Sequence, residues 1–353
     1  MNLPLPYPAT ASIVAAGICA LALAACGGSS SSSSAAAGGS STSAASAGTS
    51  SAAATSSAGA KHLSVAFIPG ATGVAFYNSL AAGVQSEAKK LGMSYTMQGA
   101  ADFSPGAQTP VVQAVCARSP SLLLIAPTDP AAMRPSIQRC MQEGVAVVTV
   151  DTSLTDTSGI VSQISSNNIQ GGQAAAKIIG QALKGKGQVA LMSLSPTATT
   201  QVQRLQGAAQ ELKASYSGIS VAATEYTQQA PTSSETTARA ILSGHPGVGA
   251  FFGAAEPNAE GVAQAEASTG KKLVNVGYDA SPTEVGLLKQ GKISALVIQQ
   301  PALEGQLGVQ YGYDWLTKKR SAIKPKVLLP NVVVTTAQAS TPRAEKYYYS
   351  GTG

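Results

Sequence analysis

From Leu63 onward, short apolar runs alternate with longer segments in which apolar residues return every three to four positions. The runs LSVAFI (63–68), MSYTMQ (93–98), SLLLIAP (121–127), GVAVVTVD (144–151) and IVSQIS (160–165) predict strands. After the first of them, Phe76, Leu80, Val84, Ala88 and Leu91 fall on one helical face, and Gly92 ends the helix. The pattern then repeats. Strands are predicted at 188–193, 220–226, 248–253, 272–279, 293–298 and, as VLLPNVVVT, 327–335. Helices are predicted near 168–183, 200–215, 232–243, 256–268, 282–290 and 302–317. Most of the strands are continuously apolar rather than alternating, the mark of a parallel sheet covered on both faces. Strict βα alternation implies a doubly wound α/β fold. Ten or so strands are many for one twisted sheet, so two similar lobes are expected.

The first 60 residues break this pattern and carry no Lys, Arg, Asp or Glu. Residues 11–25 are an apolar stretch of signal-peptide length, shorter than the roughly 20 residues of a membrane-spanning helix. The stretch ends in Leu23-Ala24-Ala25-Cys26-Gly27, which resembles a bacterial lipobox. That motif implies cleavage before Cys26 and lipidation of its thiol. The segment MNLPLPYP before it has no Lys or Arg, a departure from the usual signal-peptide start. Residues 27–60 are only Gly, Ser, Ala and Thr, a composition that builds no core and reads as a tether with an r.m.s. span of roughly 30 Å. The domain reading is therefore 1–25 signal peptide, 26–60 lipidated cysteine and tether, and a folded body after it.

The net charge is +6, from 23 Lys and Arg against 17 Asp and Glu, with Lys318-Lys319-Arg320 the longest basic cluster. No aromatic-interleaved basic patch marks a nucleic-acid partner. The two histidines, His62 and His245, are not spaced for a metal site or a catalytic triad. GxxxxGK[ST], HExxH and GxSxG are all absent from the sequence. The expectation is a non-enzyme with no cofactor and no metal. Of the four cysteines, Cys19 is lost with the signal peptide and Cys26 is the lipidation site, leaving Cys116 and Cys140 in the body. An oxidising compartment permits a disulfide between them, because successive helices on one sheet face bring their C-terminal ends together. The alternative is two reduced cysteines filling core positions.

At this point the body resembles the sugar-binding type I periplasmic binding proteins, the family of the ribose-, galactose- and autoinducer-2-binding proteins. The stretches that carry the resemblance are AFYNSLAAGVQSEAKKLG (75–92), LLLIAPTDPAAM (122–133), GVAVVTVDTS (144–153), SNNIQGGQAAAKII (166–179) and VNVGYDASPTEVGLLKQGKISALVIQQP (274–301). The resemblance implies two doubly wound parallel-sheet lobes joined by a three-crossover hinge. The N-lobe is then 62–166 plus 301–329 and the C-lobe 167–300 plus 330–353. With the lipobox-like segment, it also implies a lipoprotein monomer on the outer face of the cytoplasmic membrane. Such a protein captures a sugar, polyol or similar ligand and delivers it to an ABC permease. The alternative roles are a ligand-sensing co-receptor that presents its ligand to a membrane receptor or kinase, and a structural lipoprotein with an unused cleft.

The same resemblance nominates ligand-binding residues. Phe76 and Tyr77 stand where the family places stacking aromatics. Asp151 and Asp279 stand where it places carboxylates, and Gln299 where it places an amide. Asp151 would otherwise only cap a turn. The departures are informative. Thr152 stands where ribose binders have Arg, and Val202 where they have a second Arg, with Arg204 close by. An Asn of the family aligns with Ala255, next to Glu256. Thr152 and Glu256 are thus candidate contacts, the arginine contacts are expected to be largely lost, and an ordinary pentose is less well specified.

Overall fold

The computed structural model describes residues 62–350. The apolar stretch 11–25, Cys26 and the 27–60 tether lie outside the described residues. Among the described residues no helix is long and apolar enough to cross a membrane.

Two six-stranded sheets are built in the same order. The first contains β1 (Ser64–Ile68), β2 (Ser94–Met97), β3 (Leu122–Ile125), β4 (Ala146–Val150), β5 (Ser162–Ser166) and β11 (Lys326–Leu329), ordered β2-β1-β3-β4-β5-β11. The second contains β6 (Lys186–Ser193), β7 (Gly218–Tyr226), β8 (Val248–Gly253), β9 (Val274–Tyr278), β10 (Ala295–Ile298) and β12 (Val332–Thr335), ordered β7-β6-β8-β9-β10-β12. The central strands β3, β4 and β10 are buried at every position, as continuous apolar runs demand when helices cover both faces. The edge strand β2 is mostly exposed.

The helices between the strands are α1 (Ala75–Lys90), α2 (Pro105–Cys116), α3 (Arg134–Gln142), α4 (Asn168–Ala182), α5 (Thr199–Ser215), α6 (Pro231–Gly244), α7 (Glu256–Thr269), α8 (Pro282–Lys289) and α9 (Pro301–Leu316). Local chemistry sets their starts. The Asn167 side chain accepts the Gln170 N–H at the head of α4. Ser281 and Glu284 form a reciprocal capping box on α8. Asp129 caps a turn ahead of α3, accepting the Ala131 and Ala132 N–H groups at 2.9 and 2.7 Å.

The chain passes between the sheets three times: from β5 to α4, from β10 to α9, and from β11 to β12. The third passage differs from the expectation of one strand over 327–335. Pro330 and Asn331 break the run, and its halves join different sheets. A wholly parallel second lobe is corrected with it, because β12 pairs antiparallel with β10. The reason is geometric. β11 runs toward the hinge in the first sheet, so its continuation through Pro330 runs away from the hinge in the second, against strands that end there. Polar bonds tie the three passages together. Asn331 Nδ2 donates to the Asn167 carbonyl (2.8 Å), the Asn167 N–H donates to the Leu329 carbonyl (2.7 Å), and Gln300 Nε2 donates to the Pro330 carbonyl (2.8 Å).

Helices α2 and α3 lie side by side, and Cys116 and Cys140, both buried, are joined in a disulfide with Cα atoms 5.3 Å apart. The bond closes a sequence separation of 24 residues. Replacing both cysteines by Ser is expected to lower the stability of the body by about 2–4 kcal/mol on the chain-entropy estimate, measured by urea unfolding. Maleimide labelling of the denatured, unreduced body should find no free thiol at either position. Two reactive thiols would contradict the bond.

Candidate functional site

The ends of the strands meet in one cavity of about 390 Å³ between the lobes. Its position follows the rule for open α/β sheets, in which ligands bind beyond the carboxyl ends of the strands. The first lobe contributes Phe76 and Tyr77 from the first turn of α1, Phe103 from the loop after β2, and Asp151 from the end of β4. The second contributes Gln201 and Arg204 from α5, Glu256 and Glu260 from α7, Asp279 from the end of β9 and Gln299 after β10.

Phe76 and Tyr77 meet edge to face, with ring centroids 5.2 Å apart. Together with Phe103 they form an apolar wall. The two aspartates are set alike. Asp151 has φ +61° and Asp279 φ +91°, left-handed backbone that few non-glycine residues adopt. Each such residue costs about 1–3 kcal/mol and persists only where its surroundings over-determine it. Here they do. Tyr77 donates its hydroxyl to Asp151 Oδ2 at 2.8 Å, and the Asp151 N–H donates to Ile164 O and Glu304 Oε2 at 2.9 and 3.1 Å. Ser166 Oγ holds the other oxygen of Glu304 at 2.8 Å. In the second lobe Asp279 Oδ1 accepts from Gln299 Nε2 (2.7 Å) and from the Tyr349 hydroxyl (2.9 Å), and the Tyr349 N–H donates to the Ala280 carbonyl (3.0 Å).

Arg204 is 3 % exposed and acts electrostatically on both carboxylates. Its Nε donates to Asn168 Oδ1 and its Nη1 to the Ala254 carbonyl, each at 2.8 Å, and its guanidinium lies 3.8 Å from the centre of the Tyr278 ring. The close packing of α4 on α5 sets its depth. A Cβ on Gly172 would collide with the Arg204 carbonyl, and one on Gly207 with the Ile169 carbonyl. Burial works against the guanidinium charge, but Tyr278, Asp279, Asp151 and Tyr349 outweigh it and raise the Arg204 pKa above its ordinary value. Burial pushes Asp151 up to about 6 against the pull of Arg204 and Tyr77, and Asp279 is raised by burial in the same way. Glu256 is pushed up to about 8 by burial and by the neighbouring Asp279 and Glu260.

Of the residues nominated from sequence, Phe76, Tyr77, Asp151, Glu256, Asp279 and Gln299 are brought together on the cavity. Thr152 is not. It is 2 % exposed, and its hydroxyl donates to the Pro127 carbonyl at 2.7 Å. With Asp151 turned into the cavity, the next side chain points back into its own lobe. The expected loss of arginine is also corrected. Val202 is 40 % exposed and outside the cavity, while Arg204, two positions on and roughly 200° around the helix, lines it. Sequence reasoning missed Gln201, Glu260, Phe103, Glu304 and Tyr349. The positions of Gln201 and Glu304, in the first turns of helices that follow strands, were the available signal. The lobes also touch across the cleft. The Ser153 N–H donates to Thr199 Oγ1 at 3.1 Å, and the Phe76 and Tyr349 rings lie 6.1 Å apart.

Two lobes closed on a polar cavity through a three-strand hinge define a hinged solute-binding protein. Residues 65–320 match the periplasmic binding protein domain, and the chain belongs to that family. It is 30% identical over 245 residues to the ribose import binding protein RbsB of Bacillus subtilis (strain 168), across 69% of this chain and 79% of that protein. It resembles, with a TM-score of 0.78 and 30% identity, the structure of an ABC transporter solute-binding protein from Agrobacterium vitis bound with α-D-tagatopyranose, covering 82% of this chain and 99% of that one. A second Agrobacterium vitis solute-binding protein, with bound D-fucose, gives a TM-score of 0.76 at 25% identity, covering 81% of this chain and 100% of that one. The chain is the extracytoplasmic binding component of an ABC importer and not an enzyme.

The raised carboxyls have a consequence that needs no ligand. Glu256 ionises at an ordinary 4.5 when unfolded and at about 8 when folded, so between these values the folded form holds the proton more tightly. Its contribution to stability is complete below 4.5 and is lost as pH rises through 8. The melting temperature of the unliganded body is therefore expected to fall between pH 6 and pH 8, and Glu256→Gln should flatten that part of the profile. A wild-type profile that rises over this range would contradict the assignment.

Proposed function

We propose that the cavity binds a monosaccharide or polyol and that the two lobes close over it. The observation that carries the reading is the pair of strand-end aspartates, one per lobe, that line one cavity with Arg204 and with the wall of Phe76, Tyr77 and Phe103. Carboxylates take hydrogen bonds from neighbouring hydroxyls, a guanidinium gives them to ring and hydroxyl oxygens, and aromatic faces cover the C–H side of a sugar ring. The sugars carried by the similar proteins, ribose, tagatose and fucose, support the class. The moving bodies in this reading are 62–166 with 301–329 and 167–300 with 330–353.

A ligand that touches both lobes binds the closed form better and shifts the population toward it. A thermal-shift panel of pentoses, hexoses and alditols selects the strongest binder. At saturation, that sugar should lower the radius of gyration in small-angle scattering, and an unchanged value would count against closure. With the same sugar, Asp279→Ala should weaken binding roughly tenfold or more, the worth of a charged hydrogen bond of about 1.5–3 kcal/mol. Asp129→Ala, which removes a turn cap outside the cavity lining, should weaken binding less than Asp279→Ala. Equal affinities of the two variants in calorimetry would sink the role of Asp279.

The reading places the protein as a monomer tethered at the cell envelope by a lipid on Cys26, with 27–60 as the spacer. The lipobox-like Leu23-Ala24-Ala25-Cys26 supports it. Cys26→Ser is expected to release the body from the membrane fraction in a cell fractionation, and an unchanged membrane fraction would argue against the anchor.

A further inference from the structure

The wall that the second lobe presents to the cavity is richer in hydrogen-bond acceptors than a neutral sugar requires. Glu256 opens α7, and its Oε2 is enclosed with no hydrogen-bond partner. Gln299 is 2 % exposed, and its Nε2 is committed to Asp279 Oδ1. That contact fixes the amide, because a carboxylate oxygen takes the NH₂ end, and it leaves Gln299 Oε1 enclosed and without a donor. Both groups line the cavity, as do Asp279 and Glu260. Asp279 links them: it holds Gln299 by hydrogen bond and acts electrostatically on Glu256. Asp151 adds a further carboxyl from the first lobe. Against these stands one cation, Arg204, with two of its nitrogens already given to Asn168 and Ala254.

Resting on the sugar-or-polyol reading of this cavity, we propose that its ligand carries a protonated amine, as an amino sugar or aminopolyol does. The ammonium would be seated against Glu256 and Gln299. Each orphaned acceptor needs a donor, and an ammonium has three. A hydroxyl also donates, but it brings no charge, and the cavity lining sets the carboxyls of Asp151, Glu256, Glu260 and Asp279 against one guanidinium. A metal ion fits the arrangement poorly. Among the described residues no group of three or more His, Cys, Asp or Glu is placed to hold one. An anionic sugar would face four carboxyls with a single guanidinium. The proton inventory is consistent with an ammonium. Glu256, pushed up to about 8, holds its proton at neutral pH in the empty cavity, and an ammonium beside it favours the ionised form, so binding releases a proton.

The test is calorimetry of the folded body against three matched sets: neutral hexoses (D-glucose, D-galactose, D-mannose), their 2-amino-2-deoxy forms, and the N-acetylated amines, with 1-amino-1-deoxy-D-sorbitol against sorbitol as the open-chain pair. The expected result is that at least one amine binds about tenfold or more tightly than both its neutral parent and its N-acetyl form. Its binding enthalpy at pH 7 should vary with the ionisation enthalpy of the buffer. Glu256→Gln should abolish the preference of the amine over its neutral parent. If that variant does not fold, the buffer dependence in the wild-type protein decides, and its absence overturns the proposal. Neutral sugars that bind as well as or better than the amines overturn the amine assignment and leave the sugar reading standing. If neither neutral nor amino compounds bind, both readings fall together.

Discussion

One buried guanidinium has to balance carboxyls drawn from both lobes. Arg204 is the positive charge among Asp151, Asp279, Glu256 and Glu260 on this cavity, and burial alone would drive it toward neutrality. It stays charged because the acids around it favour the cation more strongly than burial disfavours it. In turn it lowers the pKa values of Asp151 and Asp279 against the desolvation that raises them. A buried charge without a partner is costly, and removing one member of such a set leaves the others uncompensated. The geometry of the site therefore depends on Arg204 staying at its depth, and that depth is set by the glycine contacts between α4 and α5.

The two lobes solve one problem twice. Their sheets share a strand order, and each ends a central strand in an aspartate with left-handed backbone. A tyrosine hydroxyl holds each aspartate, Tyr77 in the first lobe and Tyr349 in the second. A buried glutamate sits close to each, Glu304 under the Asp151 N–H and Glu284 in the capping box that follows Asp279. Burial pushes both glutamates well above the ordinary carboxylate range, against the hydrogen bonds they accept. The aspartates are thus aimed by rigid, hydrogen-bonded surroundings. Preorganisation of this kind lowers the ordering cost of binding.

Much of this was legible in the chain because apolar runs and helical faces carry strong periodic signals. Leu122 to Ile125 and Ala146 to Val150 read as buried parallel strands and are so. The aspartates that end β4 and β9 were visible because they terminate apolar runs. Other features left weaker traces. Pro330 and Asn331 interrupt an apolar segment that is otherwise continuous, so the switch of sheets and the antiparallel β12 were hidden inside one apparent strand. Arg204 was within sight, but an uncertainty of two residues in a helix is roughly 200° of rotation, enough to exchange a solvent face for the cavity. Tyr349 lies in a tail with no periodicity, and only the folded chain brings it onto Asp279, 70 residues away.

The site and the hinge are not separate structures. The ring that stacks on Arg204 belongs to Tyr278, and the hydroxyl of that tyrosine donates to Asn331 Oδ1 at 2.9 Å. Asn331 sits in the third passage between the lobes, and its amide nitrogen holds the Asn167 carbonyl in the first. The second passage is tied in by Gln300 on Pro330, one residue after Gln299 in the cavity. A ligand that draws on Arg204 and Gln299 thus acts on side chains one contact, or one residue, from the three segments that must rotate for the lobes to part. Across the open side of the cleft the lobes meet in lighter contacts, among them the Ser153 to Thr199 hydrogen bond and the edge contact of Phe76 with Tyr349. Hydrogen bonds of this kind contribute about 0.5–1.5 kcal/mol each, so the rim alone is a weak clasp. In the proposed reading, the balance between open and closed forms rests on what fills the cavity lined by Asp151 and Asp279.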